Sequence, residues 1–140
     1  MSYKIAVVGA TGNVGRAMLQ ILSDRRFPAS EVVALASKRS LGKQVSYGET
    51  EILKVQALED YNFSDTDIAF FSPGSAVSKI YAPIAAKAGC VVIDNTSQFR
   101  MDPTIALVIP EVNADALKDF RKTNIIANPN CSTMQMLVAL

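Results

Sequence analysis

The sequence predicts an α/β domain with a doubly wound, mostly parallel sheet and helices on both faces. Three observations predict it. Short apolar runs alternate with segments of helical spacing, which implies strands buried on both faces. The first run, Lys4-Ile5-Ala6-Val7-Val8, ends in a glycine-rich turn, Gly9-Ala10-Thr11-Gly12-Asn13-Val14-Gly15. The polar, glycine- and proline-bearing stretches fall just after the apolar runs, at the carboxyl ends where such sheets bind ligands. With 140 residues and no repeat, low-complexity tract or linker, residues 1–140 read as one Rossmann-like domain.

Each element has a local reason. Residues 13–22 place Val14, Met18, Ile21 and Leu22 at helical spacing, and Pro28 closes the connection. Glu31-Val32-Val33-Ala34-Leu35-Ala36 is a second buried strand. Residues 42–58 read as short strands around a Tyr47-Gly48 turn. Asp67-Ile68-Ala69-Phe70-Phe71 is a strand broken by Ser72-Pro73-Gly74-Ser75. Residues 76–88 then read as a helix with Gly89 at its C-cap. Cys90-Val91-Val92-Ile93 and residues 105–109 are further strands, residues 114–120 a short helix, and residues 124–127 the last strand. The turn Asn128-Pro129-Asn130-Cys131-Ser132-Thr133 follows, with Ser132 and Thr133 read as caps of a helix that continues apolar over residues 134–140.

Composition narrows the function classes. Fourteen basic and thirteen acidic residues leave a net charge of +1, with no basic stripe for nucleic acid. No apolar run reaches the ~18 residues of a membrane span, and the N-terminus lacks a signal-peptide pattern. Two distant cysteines make no disulfide framework, so a reducing cytoplasm is the expected compartment. The chain has no histidine, so an imidazole base would have to come from outside it. No cluster of ligand type suggests a metal.

The motifs carry the chemistry. Gly9 permits a tight turn, Gly12 lets backbone approach a pyrophosphate, and Gly15 lets helix and strand pack closely. Thr11, Asn13 and Val14 complete that phosphate-binding turn. Where NAD sites place an acid after the second strand, this chain has Ser37-Lys38-Arg39-Ser40. The guanidinium and hydroxyl of Arg39 and Ser40 either bind a 2′-phosphate that a carboxylate would repel or belong to a solvated basic loop; coupled to the glycine turn, the first reading favours NADP. Ser72 and Gly74, after the 67–71 strand, either close over a cofactor or only make a β-turn.

Cys131 sits on a strand-to-helix turn, where the positive end of the helix favours an anionic, nucleophilic sulfur. Cys90 instead begins an apolar strand and reads as core. A thiolate and a nicotinamide on one sheet edge suggest thioester chemistry, in which the sulfur captures an acyl group and hydride moves to or from its carbon. Arg100 either forks two hydrogen bonds onto a carboxylate or phosphate, or pairs with Asp102 at the surface. Asp94 and Asn95 read as loop caps. Glu111 is either a substrate-amine contact or simply solvated.

Taken together, these residues resemble the N-terminal portion of aspartate-β-semialdehyde dehydrogenases. The matching blocks are Gly9-Ala10-Thr11-Gly12-Asn13-Val14-Gly15, Ala36-Ser37-Lys38-Arg39-Ser40-Leu41-Gly42-Lys43, Val92-Ile93-Asp94-Asn95-Thr96-Ser97-Gln98-Phe99-Arg100, Val108-Ile109-Pro110-Glu111-Val112-Asn113 and Asn128-Pro129-Asn130-Cys131-Ser132-Thr133. They stand in family order and span almost the whole chain. The resemblance implies reduction of aspartyl-β-phosphate to the semialdehyde with NADPH, on the aspartate route to lysine, threonine, methionine and diaminopimelate. It implies Cys131 as the acyl-thioester nucleophile and Arg100, helped by Asn130, as the phosphate-binding pair. Thr11 to Val14 would hold the cofactor phosphates, and Arg39 and Ser40 the adenosine 2′-phosphate. It further implies that a catalytic and dimer-forming domain, with the family's histidine, follows residue 140. On that expectation the parent is a homodimer or homotetramer, and this chain alone binds cofactor without turnover.

Three other readings compete. N-acetyl-γ-glutamyl-phosphate reductases use the same thioester logic, but have glycine and tyrosine around the thiol where this chain has Asn130 and Ser132. A free-standing NADP-binding or redox-sensing domain would keep Cys131 as a reactive thiol without catalysis. An epimerase-like protein would want a Tyr-x-x-x-Lys pair, whereas Tyr81 is followed four positions on by Ala85.

Overall fold

A computed structural model describes all 140 residues, Met1–Leu140. Seven strands form one sheet whose neighbours all run parallel: β1 (Tyr3–Val8), β2 (Ala29–Ala36), β5 (Gln56–Ala57), β6 (Ile68–Phe71), β7 (Val91–Asp94), β8 (Ala106–Leu107) and β9 (Ile125–Ala127). The spatial order is β5-β2-β1-β6-β7-β9-β8. The chain steps outward one way from β1 to β2 and β5, then returns and steps the other way from β6. The reversal between β1 and β6 is the switch point at which such sheets open a ligand crevice. A separate antiparallel hairpin, β3 (Gln44–Tyr47) and β4 (Glu51–Lys54), brackets the turn expected at Tyr47-Gly48.

Burial explains why the strands read as continuous apolar runs. Ile5, Ala6, Val7 and Val8 are all 0% exposed, because successive side chains enter different cores. On one face α1 (Asn13–Asp24) lays Leu19 and Leu22 against Ile5, Val7, Ala34 and Ala36. On the other, α2 (Ser75–Lys87) lays Ala82, Ala85 and Ala86 against Ala6, Val8, Ala69, Phe71 and Val92. The small residues of α2 let helix and sheet approach closely. On the α1 face, Phe70 of β6 packs beside Met18 and Leu22 of α1. Ile68, Val91 and Ile93 there floor the largest cavity, about 740 Å³, which opens toward Tyr3, Phe27 and Phe120.

Two expectations need correction. Residues 105–109 supply only the two-residue β8, because Asn113 intercepts the chain. Its Oδ1 accepts the Ile109 N–H at 2.8 Å and its Nδ2 donates to Leu107 O at 2.9 Å, folding α3 (Pro110–Asn113) instead of more strand. The helix expected at 114–120 is a 3-10 segment, Ala114–Lys122. Its half-buried residues, Leu117 and Phe120, lie three apart, which matches the 3-10 repeat and not the α repeat.

Candidate active site

Sheet register assembles the site. Val8, Phe71, Asp94 and Ala127 align across β1, β6, β7 and β9. The residue after each extends the ladder by one bond. Gly9 N donates to Leu35 O at 2.9 Å, Ser72 N to Val8 O at 2.9 Å, Asn95 N to Phe71 O at 2.8 Å and Asn128 N to Asp94 O at 2.9 Å. The four turns singled out from the sequence therefore leave the sheet in one line.

The glycine turn is tight for a steric reason. Gly9 has φ +85°, and a Cβ there would meet Ser72 O at 2.6 Å. A Cβ on Gly15 would overlap Gly9 O, so β1 and α1 touch only because both positions are glycine. Gly12 is the N-cap of α1 and offers no side-chain acceptor, and the first helical turn holds no acid. The leading N–H groups of α1 are thus left for an anion. Arg16 Nε donates to Thr11 O at 3.1 Å and braces the turn. Asn13 and Val14 are exposed at the start of the helix.

Beside this turn lies a cleft of about 280 Å³. Gly9, Thr11, Arg39, Pro73, Glu59 and Tyr81 are among the residues lining it. Ser72 and Gly74 flank Pro73, and Gly74 caps α2. Arg39 is exposed on a three-residue 3-10 turn, Lys38–Ser40, and has no carboxylate within 4.0 Å. Ser40 N donates to Ser37 O at 2.8 Å within that turn. Glu59 and Tyr81 escaped the sequence reading, because only the order β5-β2-β1-β6 brings their segments beside the glycine turn.

Arg100 does not pair with Asp102. Its Nε donates to Asn128 O at 2.7 Å and its Nη2 to Asn95 O at 3.0 Å. These carbonyls orient the half-buried guanidinium without neutralising it, leaving its remaining N–H groups for an anion. Asp102 is instead held by Thr104 N at 2.9 Å and Thr104 Oγ1 at 2.7 Å, which lowers its pKa.

The Arg100 loop is anchored by Asp94, which is 0% exposed. Its Oδ1 accepts Thr96 N at 2.8 Å and Ser78 Oγ at 3.2 Å, and its Oδ2 accepts Thr96 Oγ1 at 2.9 Å. The Asp94-Asn95-Thr96 spacing is an Asx-turn pattern, so this anchor was legible.

Cys131 is exposed at the first position of α4 (Cys131–Ala139). The cap is Asn130, whose Oδ1 accepts Thr133 N at 2.7 Å, so Ser132 and Thr133 lie inside the helix instead of capping it. Asn130 spends its carbonyl on the helix and keeps its amide N–H groups. Arg100 reaches the Cys131 turn through Asn128, three residues away. Cys90 is buried as expected, and burial pushes its thiol up to about 12. Glu111 stays exposed on α3. No group of three or more His, Cys, Asp or Glu side chains is arranged around a metal-sized site.

The arrangement has known counterparts. Residues 4–120 match the family described as semialdehyde dehydrogenase, NAD binding domain. Aspartate-semialdehyde dehydrogenase of Shewanella violacea is 56% identical over 140 residues, 99% of this chain and 40% of that protein. The structure of aspartate semialdehyde dehydrogenase II from Vibrio cholerae, complexed with ASA, superposes with a TM-score of 0.95 at 53% identity, over 100% of this chain and 45% of that one. The Candida albicans enzyme, solved with NADP, gives a TM-score of 0.78 at 26% identity, over 99% of this chain and 45% of that one. The chain thus spans about 40% of the length of the curated relatives it matches. On the strength of the 4–120 match, this chain belongs to the semialdehyde dehydrogenase NAD-binding domain family.

Proposed function

We propose that this chain is the NADP-binding, nucleophile-bearing part of an aspartate-semialdehyde dehydrogenase. The observation that carries the reading is the single line of turns past Val8, Phe71, Asp94 and Ala127, which groups the glycine turn, Arg100 and Cys131 at one sheet edge. The residues present fit a dinucleotide. Gly9 and Gly15 leave no room for side chains, and the first turn of α1 lacks a side-chain cap. Arg39, without a carboxylate partner, and Ser40 take the adenosine 2′-phosphate. Thr11, Gly12, Asn13 and Val14 take the pyrophosphate, while Ser72 and Gly74 border the cofactor from β6.

In the biosynthetic direction, Cys131 Sγ attacks the β-carbonyl carbon of aspartyl-β-phosphate. The carbon–oxygen bond to phosphate breaks, phosphate leaves, and an acyl-thioester remains on Sγ. The free edge of the Arg100 guanidinium binds the departing phosphate, assisted by the Asn130 amide, and neutralises charge as it develops. NADPH, when held at this site, would supply a hydride to the thioester carbon; breakage of the carbon–sulfur bond then frees the aldehyde and returns Cys131 to its thiolate. The chain has no histidine, so an imidazole that handled the accompanying proton would come from outside it.

On this reading the full-length protein is a cytoplasmic dimer or tetramer on the routes to lysine, threonine, methionine and diaminopimelate. Residues 1–140 alone bind cofactor without turnover. The test uses an enzyme of the relatives' full length carrying this chain. Cys131→Ala is expected to lower kcat by about 10⁴-fold or more, with NADP affinity within about twofold because Cys131 is outside the cofactor cleft. Turnover retained in that variant would remove Cys131 as the nucleophile.

A further inference from the structure

The turn bearing Arg39, Lys38–Ser40, is held differently at its two ends. It has no buried residue. Within it, Ser40 N donates to Ser37 O and Leu41 N to Lys38 O; on its C-terminal side Lys43 N donates to Ser40 O at 3.1 Å and Gly42 N to Val55 O at 3.0 Å, which leaves the Lys38 end to be fixed otherwise. Two contacts tie Lys38 to the neighbouring 3-10 turn, Leu58–Asp60. Lys38 N donates to Glu59 Oε1 at 3.2 Å, and Lys38 Nζ pairs with Asp60 Oδ1 at 3.0 Å. The ion pair joins side chains 59% and 67% exposed, so solvent and salt weaken it strongly. The Glu59 bond fixes backbone, which restrains the turn more directly than a pair of long side chains does.

Glu59 also lines the same cleft as Arg39. Both acids of the 58–60 turn contact Lys38, which leaves the Arg39 guanidinium without a carboxylate. We propose that Glu59 is a positioning residue for cofactor specificity: by holding the Lys38 backbone it sets Arg39 where a 2′-phosphate arrives. This rests on the reading of the cleft as an NADP site. Two opposed effects follow from one side chain. The hydrogen bond favours NADP by fixing Arg39, whereas the negative charge disfavours any phosphate nearby. Gln keeps the acceptor and removes the charge, while Ala removes both.

Calorimetric titration of the 140-residue chain with NADP and with NAD separates these effects. Glu59→Gln should bind NADP as tightly as the parent or a few-fold tighter. Glu59→Ala should bind it about 5–20-fold more weakly, the scale of one charge-assisted hydrogen bond. NAD affinity, which does not use Arg39, should stay within about twofold in both variants. Amide exchange at Lys38 gives a readout independent of cofactor, expected to accelerate about tenfold or more in Glu59→Ala and to stay slow in Glu59→Gln. If Glu59→Ala binds NADP as well as the parent, or loses NADP and NAD alike, the role is overturned. A parent chain with a protected Lys38 amide that binds neither cofactor overturns the cofactor reading along with it. Unchanged exchange in Glu59→Ala overturns the clamp whatever the titrations show.

Discussion

Cys90 and Cys131 place the same side chain in opposite surroundings. Cys90 has no exposed surface, and burial raises its thiol from 9.0 to about 12, whereas Cys131 is exposed on a helix start. Iodoacetamide at pH 8 should therefore modify one thiol per folded chain, at Cys131, and reach Cys90 only after denaturation. Labelling of Cys90 first would contradict the assignment. The same shift has a stability sign. Folding favours the protonated Cys90, so its contribution is intact below pH 9 and is lost as pH rises toward 12, where the unfolded chain ionises first. At Arg39 the expectation concerns discrimination. Arg39→Ala should weaken NADP about 10–100-fold, as expected for losing a guanidinium–phosphate contact, and leave NAD within about twofold. Equal loss for both cofactors would reduce Arg39 to a general electrostatic contact. Gly9, Arg39 and Cys131 were legible in the sequence because each has a chemical reason tied to its place after an apolar run. Glu59 and Tyr81 were not, because their nearness to Gly9 comes from strand order and not from any local pattern.

At the scale of elements, the buried Asp94 joins β7 to both α2 and the Arg100 loop. Asp94→Ala strands Ser78 Oγ and the Thr96 N–H and should cost about 2–4 kcal/mol, read from urea unfolding. A loss under about 0.5 kcal/mol would mean that the loop finds other acceptors. The α4 cap is a smaller matter: Asn130→Ala should cost about 1 kcal/mol and fray the helix start, seen as faster exchange at Thr133. Wild-type exchange there would return the cap to Ser132 or Thr133. The long strands and helices were readable because several turns of one period agree. The 114–122 segment was not, since Leu117 and Phe120 suit a 3-10 repeat while an isolated short stretch looks α-like. In α2, Pro83 lies inside the helix without ending it, on a solvent-exposed position where the lost hydrogen bond is open to water.

For the molecule as a whole, the sequence showed a doubly wound parallel sheet because its strands are apolar throughout and its turns polar. It also put the candidate sites together at the carboxyl ends of the strands, but did not show their register. The one-line arrangement of Gly9, Ser72, Asn95 and Asn128 is a property of register, which no single segment carries. The most direct test of a dinucleotide site on that line is parallel calorimetry of the 140-residue chain with NADP and NAD, on protein shown to be folded by circular dichroism. One-to-one binding of NADP, at least about tenfold tighter than NAD, is expected if the glycine turn and the Arg39 turn act together. A folded chain that binds neither cofactor, or binds NAD more tightly than NADP, would contradict it.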